Sequence, residues 1–327
     1  MPLRSETRTW NDILTTTLAI YRPKMIDNIF DVYPFLSYLN GNLGIGINGR
    51  KLMRVETGGE SILEPLLFDE NSTADFYSRY GILNVTPQEE FTNARYDWRQ
   101  ASVSITIDGL SERSNAGKFA VINLLKSKIK SSELSLRKKL STAAWGNGTV
   151  NGKPAFDGLQ KAISTTTTLG GINPGTSGNE WWQAKVITGA GSFAATGISK
   201  MKSTFNDLTF GNDKPDVIFT TQSIYEFYEA AVQPIQRVQN TKVADLGFQN
   251  FTYKGVPLLF DRDCPSGEMY YINSEYITYV VHKDANMKTT PFVKPTNQDA
   301  RTAQILLQAN ITYNNRRKLG VIRGFTA

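Results

Sequence analysis

The stretch that decides the fold is SNAGKFAVINLLKSKIKSSELSLRKKLSTAAW, residues 114–145. It contains no proline and no cluster of turn residues, and Ser114 or Asn115 can cap its first turn by accepting a backbone N–H. Apolar side chains recur at steps of three, four or seven residues, as on one side of a helix. They are Ile122, Leu125, Ile129, Leu136, Leu140 and Ala143. Gly146 and Gly148 follow, which predicts that the helix ends there.

The rest of this predicted helix is basic. Its only acidic residue is Glu133, and it carries Lys118, Lys126, Lys128, Lys130, Arg137, Lys138 and Lys139. At 1.5 Å per residue it would be roughly 45–50 Å long. A long helix with a narrow apolar stripe and a positive flank is typical of a strut that lies across a sheet and keeps its other side in solvent.

The composition is that of an ordinary globular protein. The chain has 327 residues, 40% of them hydrophobic, which suits one large domain or two to three small ones. A net charge of +6 is too small by itself to indicate nucleic-acid binding. Cys264 is the only cysteine, which excludes a disulfide within the chain and a cysteine zinc cluster.

The sequence predicts no catalytic, cofactor-binding or metal-binding residue, and we do not expect an enzyme. His282 is the only histidine, so a Ser-His-Asp or Cys-His arrangement could form only through it. It has no local Ser or Cys partner, and we interpret it as structural. Asp261, Asp263 and Cys264 crowd one loop and could hold a hard cation, but two carboxylates without a third ligand do not favour that interpretation.

The N-terminal part is predicted to be an arm. Residues 1–20 are polar, a short helix is expected around 23–30, and Pro34 is expected to interrupt the chain before the apolar run 35–39. The first residues lack the apolar core of a secretory signal, and no run of ~18 apolar residues occurs. We therefore predict neither a signal peptide nor a membrane span.

Residues 41–110 show strand patterns. Ala101, Val103, Ile105 and Ile107 alternate with polar residues, whereas 51–68 has mixed charge and the pair Gly58-Gly59. The polar middle, 70–81, contains Tyr77 and Tyr80. We predict a long two-stranded excursion with an irregular tip. Because an isolated two-stranded ribbon is marginal in water, we expect it to lie on a neighbouring molecule.

A compact α/β region follows the long helix. The patterns predict helices over 192–209 and 222–232, a buried strand within 214–221, a hairpin over 251–260 around Lys254-Gly255, and strands at 269–272 and 276–281. Residues 304–313 then alternate as a half-buried strand, with Leu306 the exception. A polar turn at 314–318 is expected to lead into 319–325, which could close a hairpin.

The order of these parts, together with short sequence motifs within them, resembles the major capsid proteins of tailed double-stranded DNA phages. The matching motifs are spread over most of the chain. They are Trp98 with 103–107, 114–117, 158–159, 170–172 before Trp181, 215–218, Tyr225, Tyr228, 247–248, 253–257, Asp261, 271–273, 315–317 and Gly320.

The resemblance implies an α+β protein with the Hong Kong 97-like capsid fold. It implies an N-terminal arm and lead-in helix at 1–40 and an E-loop hairpin at 41–100. It further implies a P-domain at 101–155 with the spine helix 114–145, an α/β A-domain at 156–290, and P-domain return strands at 291–327. The protein would be a structural, self-assembling major capsid protein of a bacteriophage virion.

The resemblance also implies partners. Pentamers and hexamers of the chain would tile an icosahedral shell, with the E-loop over a neighbouring subunit, assembled in the host cytoplasm. A separate scaffolding protein, a portal and decoration proteins would join it, and basic side chains would contact packaged double-stranded DNA without sequence specificity. No cofactor and no membrane contact are implied. Some relatives form Lys–Asn links between subunits, but no motif matches Lys51 or Asn310, and we predict no cross-link.

The sequence leaves two alternative functions open. An encapsulin, with the same fold around an enzyme cargo, fits the same pattern. An α/β nucleotide-binding protein would use 44–49, which matches G-x-G-x-x-G. That fingerprint needs a strand before it and a helix after it, and a hairpin-like limb follows here, so we interpret 44–49 as a flexible hinge. Trp181, Trp182, Tyr77 and Tyr80 could stack on bases, but buried anchors and subunit contacts explain them better.

Overall fold

The computed structural model describes residues 33–41, 52–114, 124–232 and 251–326. The predicted arm and helix before residue 33, the glycine-rich segment 44–49 and the helix portion 115–123 lie outside those residues. The helices are α1 (Pro34–Leu39), α2 (Gly109–Ser114), α3 (Leu124–Trp145), α4 (Leu159–Ala162), α5 (Ile198–Asp207) and α6 (Gln222–Val232). A π-helical turn, Phe193–Gly197, leads into α5, and short 3-10 turns lie at Glu180–Trp182, Ser274–Tyr276, Lys283–Ala285 and Arg316–Lys318.

Pro34 begins a helix, so the prediction that it interrupts the chain is wrong. Proline is tolerated in the first turn because its missing N–H has no partner within the helix there. The helix is anchored at both ends, since the N–H of Phe35 donates to Asp261 (3.0 Å) and the hydroxyl of Tyr38 donates to Asp216 (3.1 Å). The ring of Phe35 lies 4.8 Å from that of Trp145, and α1 is therefore part of the core.

Of the two predicted caps, Ser114 is wrong because it lies within α2, and Asn115 is outside the described residues. The cap of α2 is Asp108, whose carboxylate accepts the N–H of Ser111 at 2.7 Å. That hydrogen bond holds the pKa of Asp108 below its usual value. The described part of the following helix, α3, has 22 residues and ends at Trp145, as predicted. At 1.5 Å per residue it is about 33 Å long.

Contacts divide the described chain into two compact units. The first contains Gln100–Leu140 and Asp284–Gln308, and the second contains Tyr33–Arg99, Ser141–Lys283 and Ala309–Ala327. One strand, β15 (Ala300–Tyr313), contributes to both. It includes the predicted strand 304–313. The predicted alternation is confirmed where Ala303, Ile305 and Leu307 are buried beside exposed Gln304 and Leu306, but it is wrong over 309–313, where Asn310 and Thr312 are buried as well.

The first unit is built on β4 (Arg99–Asp108), β14 (Lys288–Thr289) and the first part of β15. β4 and β14 both pair with β15, and the predicted alternation of β4 is confirmed by the burial of Ile105 and Ile107. Asp299 fixes the start of α2, since its carbonyl accepts the N–H of Gly109 (2.8 Å) and its carboxylate pairs with Arg113 (2.7 Å). The ammonium of Lys128 on α3 donates to the carbonyl of Thr106 (2.8 Å) and so ties the helix to β4.

The second unit contains a six-stranded mixed sheet. Its order is β10 (Phe251–Tyr253), β11 (Val256–Phe260), β9 (Val217–Thr220), β12 (Glu268–Ile272), β16 (Gly320–Arg323) and β7 (Lys185–Ile187). All four residues of the central strand β9 are buried. Helices α5 and α6 lie at the predicted places and contribute Met201, Phe205, Ile224, Tyr225 and Tyr228 to the core.

Residues 319–325 do not close a hairpin with the strand before them, so that prediction is wrong. β16 instead pairs with β12, with Met269 opposite Ile322. Val321 and Ile322 are both fully buried, and such a strand fits the interior of a sheet better than an edge. The turn Arg316–Lys318, capped by the side chain of Asn315, carries the chain from β15 into this other sheet.

The remaining strands of the second unit are short or form ribbons. β1 (Met53–Glu56) runs parallel to β13 (Ile277–His282), which pairs antiparallel with the end of β15. β2 (Ser61–Leu67) and β3 (Phe91–Asp97) pair with each other. The other pairs are β5 (Thr149–Val150) with β6 (Lys153–Pro154) and β8 (Gly191–Ser192) with β17 (Phe325–Thr326).

Candidate assembly surface

The ribbon of β2 and β3 has one buried and one exposed face. Ile62, Glu64 and Leu66 are buried and alternate with exposed Leu63, Pro65 and Leu67, as expected for side chains that point to opposite faces. This confirms a two-stranded excursion, although it is shorter than predicted. The earlier limb, β1, pairs with β13 and takes no part in the ribbon.

The segment between the two strands, residues 68–90, we call the tip. Its large apolar side chains are in solvent, with Phe76 102%, Ile82 99%, Tyr80 87% and Val85 87% exposed. Tyr77 and Leu83 are exposed as well. Soluble monomers rarely present so many neighbouring apolar side chains unless the surface binds something. The tip is therefore the strongest candidate for a docking surface in the described part of the chain.

The root of the ribbon is fixed by Tyr96. Its buried hydroxyl donates to the carbonyl of Tyr313 (2.7 Å) and accepts the N–H of the same residue (3.3 Å). Because Asn314 donates to Tyr276, the neighbouring residue Tyr313 directs its own N–H and C=O away from β13. The phenol of Tyr96 thus occupies the place of an adjacent strand, and burial raises its pKa far above the usual range.

Three further contacts hold the same root. The N–H of Arg95 donates to the carbonyl of Gly170 at 2.9 Å, and Gly170 has a φ of +62°. A Cβ at Gly170 would lie 2.7 Å from that of Ala94, so both the conformation and the space require glycine. On β2, the carboxylate of Glu64 accepts the hydroxyl of Thr312 (3.0 Å) and pairs with Arg54 (2.9 Å).

Asn310 lies in a buried polar network. Its amide nitrogen donates to the carboxylate of Asp157 (2.9 Å) and to the carbonyl of Asp97 (2.8 Å), and its amide oxygen accepts the N–H of Asp157 (2.9 Å). Lys161 completes the network through an ion pair of 2.5 Å with Asp157. Because Asn310 is fully buried, a lysine of another chain has no access to its amide in the folded subunit.

Arg316 is fully buried without a carboxylate partner among its described hydrogen bonds. Its guanidinium donates to four carbonyls, those of Ala162 (2.6 Å), Ser164 (2.8 Å), Thr167 (3.1 Å) and Lys161 (3.4 Å). Burial lowers its pKa to about 10. The cation therefore fastens the end of α4 and the loop after it to the turn after β15, where the sequence predicted only a polar turn.

The tryptophan pair serves as a structural anchor. Trp182 is 1% exposed and its indole N–H donates to the carbonyl of Leu169 (3.1 Å), which excludes it as a platform for bases. The ring of Trp181 contacts that of Phe68 in a tilted arrangement with 5.8 Å between ring centres, at the point where β2 ends and the tip begins. The prediction of buried anchors is confirmed for Trp182.

The other residues singled out in the sequence have structural surroundings. The ring of His282 lies edge-on to Trp98 at 5.7 Å. Asp261 uses its two oxygens for the N–H groups of Phe35 (3.0 Å) and Asp263 (2.9 Å). Within the described ranges, no group of three or more His, Cys, Asp or Glu side chains could hold a metal ion. None of the helices that the structure describes is both long and apolar enough to cross a bilayer.

The exposed side of α3 is basic, as predicted. Lys130, Arg137, Lys138 and Lys139 are exposed, whereas Leu136 and Leu140 are buried. Lys130 and Arg137 are seven residues apart and so lie on one side of the helix, about 10.5 Å from each other.

Sequence reasoning missed Tyr96, Asn310, Asp157 and Arg316. Tyr96 sits in an alternating strand at an inward position, which could have indicated that its hydroxyl needs a buried partner. Asn310 falls on the polar face of the predicted strand, so the alternation indicated exposure there. Nothing local marks Arg316, because an Asn-Asn-Arg-Arg-Lys run resembles an exposed turn.

Comparison with known proteins shows similarity in structure. No protein-family description matches the sequence, and no curated protein is similar to it. A chain in the capsid asymmetric unit of cyanophage A-1(L) aligns with a TM-score of 0.68 at 18% identity, over 99% of this chain and 100% of that one. A chain from Mycobacterium phage Adephagia aligns with a TM-score of 0.57 at 14% identity, over 98% of both.

An encapsulin chain also matches. A chain of the holo-SrpI encapsulin complex of Synechococcus elongatus aligns with a TM-score of 0.58 at 9% identity, over 100% of this chain and 99% of that one. At such identities the shared property is the fold. The fold prediction is therefore confirmed, and this chain has the α+β, Hong Kong 97-like fold found in phage capsid and encapsulin chains.

Proposed function

We propose that this chain is the major capsid protein of a tailed double-stranded DNA bacteriophage, and that it assembles as pentamers and hexamers into an icosahedral head. The observation that supports this most is the end-to-end match to the cyanophage capsid chain, which leaves almost no part of either chain unmatched. Its role is structural rather than enzymatic, and its place is the virion, after assembly in the host cytoplasm.

The parts of the fold have these roles in the proposal. The E-loop, 41–100, contains the ribbon and its tip; the P-domain, 101–155, contains β4 and α3; and the A-domain, 156–290, contains most of the six-stranded sheet. We assign the first 40 residues, of which 33–40 are described, to the arm and lead-in helix, and 291–327 to the P-domain through β15. We assign β16 to the A-domain instead, because it pairs with β12.

The tip supplies the contact between subunits. It covers a neighbouring copy, and burial of its apolar side chains drives the association. The fixed root sets where the tip projects, and the tip itself adapts to the different settings of pentamers and hexamers. A separate scaffolding protein, a portal and decoration proteins act with the shell, and its basic surface contacts packaged DNA without sequence specificity.

Electron microscopy of the expressed chain tests this proposal, with Phe76→Ser/Ile82→Ser as the variant. Fully burying one such side chain contributes about 1.5–3 kcal/mol, so the pair contributes roughly 3–6 kcal/mol per contact. We expect closed shells from the unchanged chain and folded, unassembled subunits from the variant. Ser78→Ala, which alters the tip without removing apolar surface, should form normal shells. Normal shells from the double variant would exclude the tip as the assembly contact.

The encapsulin alternative rests on the match to the SrpI chain. Purified shells decide between the two. Nuclease-protected double-stranded DNA, with terminase and portal genes beside the coding gene, supports the phage head. A protein cargo, with a peroxidase or ferritin-like gene as neighbour, supports an encapsulin.

A further inference from the structure

The buried network around Asn310 brings together an amine, a carboxylate and a carboxamide. The carboxylate of Asp157 lies between the other two groups. Its Oδ1 is 2.5 Å from the ammonium nitrogen of Lys161, and its Oδ2 accepts the amide N–H of Asn310 at 2.9 Å. A lysine and an asparagine can join through an amide bond without any other reactant, provided that one group moves the protons between them. The network holds such a group in contact with both.

The carboxamide oxygen of Asn310 is held in a way that favours attack at its carbon. It accepts the backbone N–H of Asp157 at 2.9 Å and the backbone N–H of Ile311 at 2.8 Å. Two backbone N–H groups directed at one carbonyl oxygen stabilise the negative charge that develops there when a nucleophile adds to the carbon. The nitrogen that would leave donates to Asp157 and to the carbonyl of Asp97 (2.8 Å).

Lys161 reaches the network from α4 along a confined path. A Cβ at Gly148 would lie 3.0 Å from Cδ of Lys161 and 3.7 Å from Oδ1 of Asp157, so this glycine leaves the space that the lysine side chain occupies. The side chain of Asp157 is 5% exposed and that of Lys161 is 23% exposed. Bulk water is therefore largely excluded from the reacting atoms, and the partly open side at Lys161 gives released ammonia an exit.

We propose that Lys161 and Asn310 of the same chain form an isopeptide bond in the folded subunit, with Asp157 transferring the protons. The carboxylate of Asp157 accepts a proton from the ammonium of Lys161, and the neutral Nζ adds to Cγ of Asn310. The two backbone N–H groups stabilise the resulting oxyanion. Asp157 then gives its proton to Nδ2, the Cγ–Nδ2 bond breaks, and ammonia leaves and takes up the proton that Nζ loses. One ammonium and one carboxamide thus give one amide and one ammonium ion.

The bond lies within one chain and joins no subunits. It connects α4 to β15 inside the second unit and closes a loop of roughly 150 residues, which restricts the unfolded chain as a disulfide does. The reaction requires only the folded subunit, so the inference does not depend on the proposed function.

Mass spectrometry of the full-length chain tests the proposal, after the purified folded protein has been kept at neutral pH for several days and then denatured. We expect a mass about 17 Da below that of the sequence, which corresponds to one ammonia, and a digest with a branched peptide that joins Lys161 to Asn310. Lys161→Arg keeps a cation beside Asp157 but supplies no amine, so it should retain the full mass of its own sequence. Lys153→Arg, at an exposed lysine, is the matched control and should lose ammonia as the unchanged chain does. Asp157→Asn should form the bond about a hundredfold more slowly or not at all.

A folded, unchanged chain that keeps its full mass overturns the inference. A Lys161→Arg variant that loses ammonia to the same extent overturns it too, because the loss would then come from succinimides at pairs such as Asn151-Gly152. Bond formation in Asp157→Asn at the original rate overturns the proton transfer by that carboxylate. Circular dichroism verifies folding, and if Asp157→Asn does not fold, the masses of the unchanged chain and of Lys161→Arg decide the question. None of these outcomes alters the capsid proposal, which electron microscopy tests separately.

Discussion

The substitution Tyr96→Phe tests how the ribbon is held. It removes one oxygen and preserves the ring, so the packing of Ala94 and Tyr96 against the unit is retained. The lost hydroxyl serves both the carbonyl (2.7 Å) and the N–H (3.3 Å) of Tyr313, which are buried and directed away from β13. An unpaired buried polar group costs about 1–3 kcal/mol. We therefore expect the free energy of unfolding to fall by about 2–4 kcal/mol.

The assay is urea unfolding of the unassembled chain, combined with hydrogen exchange of the ribbon amides. If the loss is concentrated at the root, opening of the ribbon becomes about 30- to 700-fold more frequent, at a factor of ten per 1.4 kcal/mol. Tyr228→Phe is the matched control, because its hydroxyl makes one hydrogen bond, to Thr252 at 3.0 Å, within the six-stranded sheet.

The control should lose about 0.5–1.5 kcal/mol and leave exchange in the ribbon unchanged. A loss below about 0.5 kcal/mol for Tyr96→Phe, or ribbon amides that exchange at the original rate, would show that the phenol does not secure the root.

Two further predictions concern other buried contacts. Gly170→Ala should lower the free energy of unfolding by about 2–5 kcal/mol, because of the left-handed backbone and the overlap with Ala94. The control Gly171→Ala, at a φ of +80° with open space around it, should lower it by only about 1–2 kcal/mol. Equal losses for the two variants in urea unfolding would contradict this prediction. Burial raises the pKa of Asp216, so its contribution to stability should fall as the pH rises from the ordinary aspartate range through that raised pKa. Asp216→Asn should remove this pH dependence when the free energy of unfolding is measured across the acid range. An unaltered pH dependence in the variant would show that it arises from other groups.

Patterns that repeat locally predicted the fold well. The alternation of Ile105 and Ile107 gave β4, the periodicity of Ile224, Tyr225 and Tyr228 gave α6, and Lys254-Gly255, with φ of 50° and 79°, forms the predicted turn. These elements are specified by neighbouring residues. Burial of one face is enough to select each of them.

Contacts between distant residues could not be predicted. Asn310 bonds to a residue 153 positions away, and nothing near either residue in the sequence reveals the other. The prediction for Pro34 is wrong because a proline that ends one segment and a proline that begins a helix cannot be distinguished from the local sequence. The candidate surface was predicted as a ribbon in need of a neighbour, but its exposed apolar tip emerged only from the structure.

The bare tip also has a consequence for how long a newly made subunit can persist alone. A soluble chain that displays Phe76, Tyr80 and Ile82 to water is prone to adhere to unrelated proteins and to itself in disordered ways. The time that an unassembled subunit stays soluble in the cell therefore depends on how quickly it binds another subunit. Overproduction without matched assembly should accordingly yield amorphous precipitate, and slow synthesis at reduced temperature should raise the yield of usable protein.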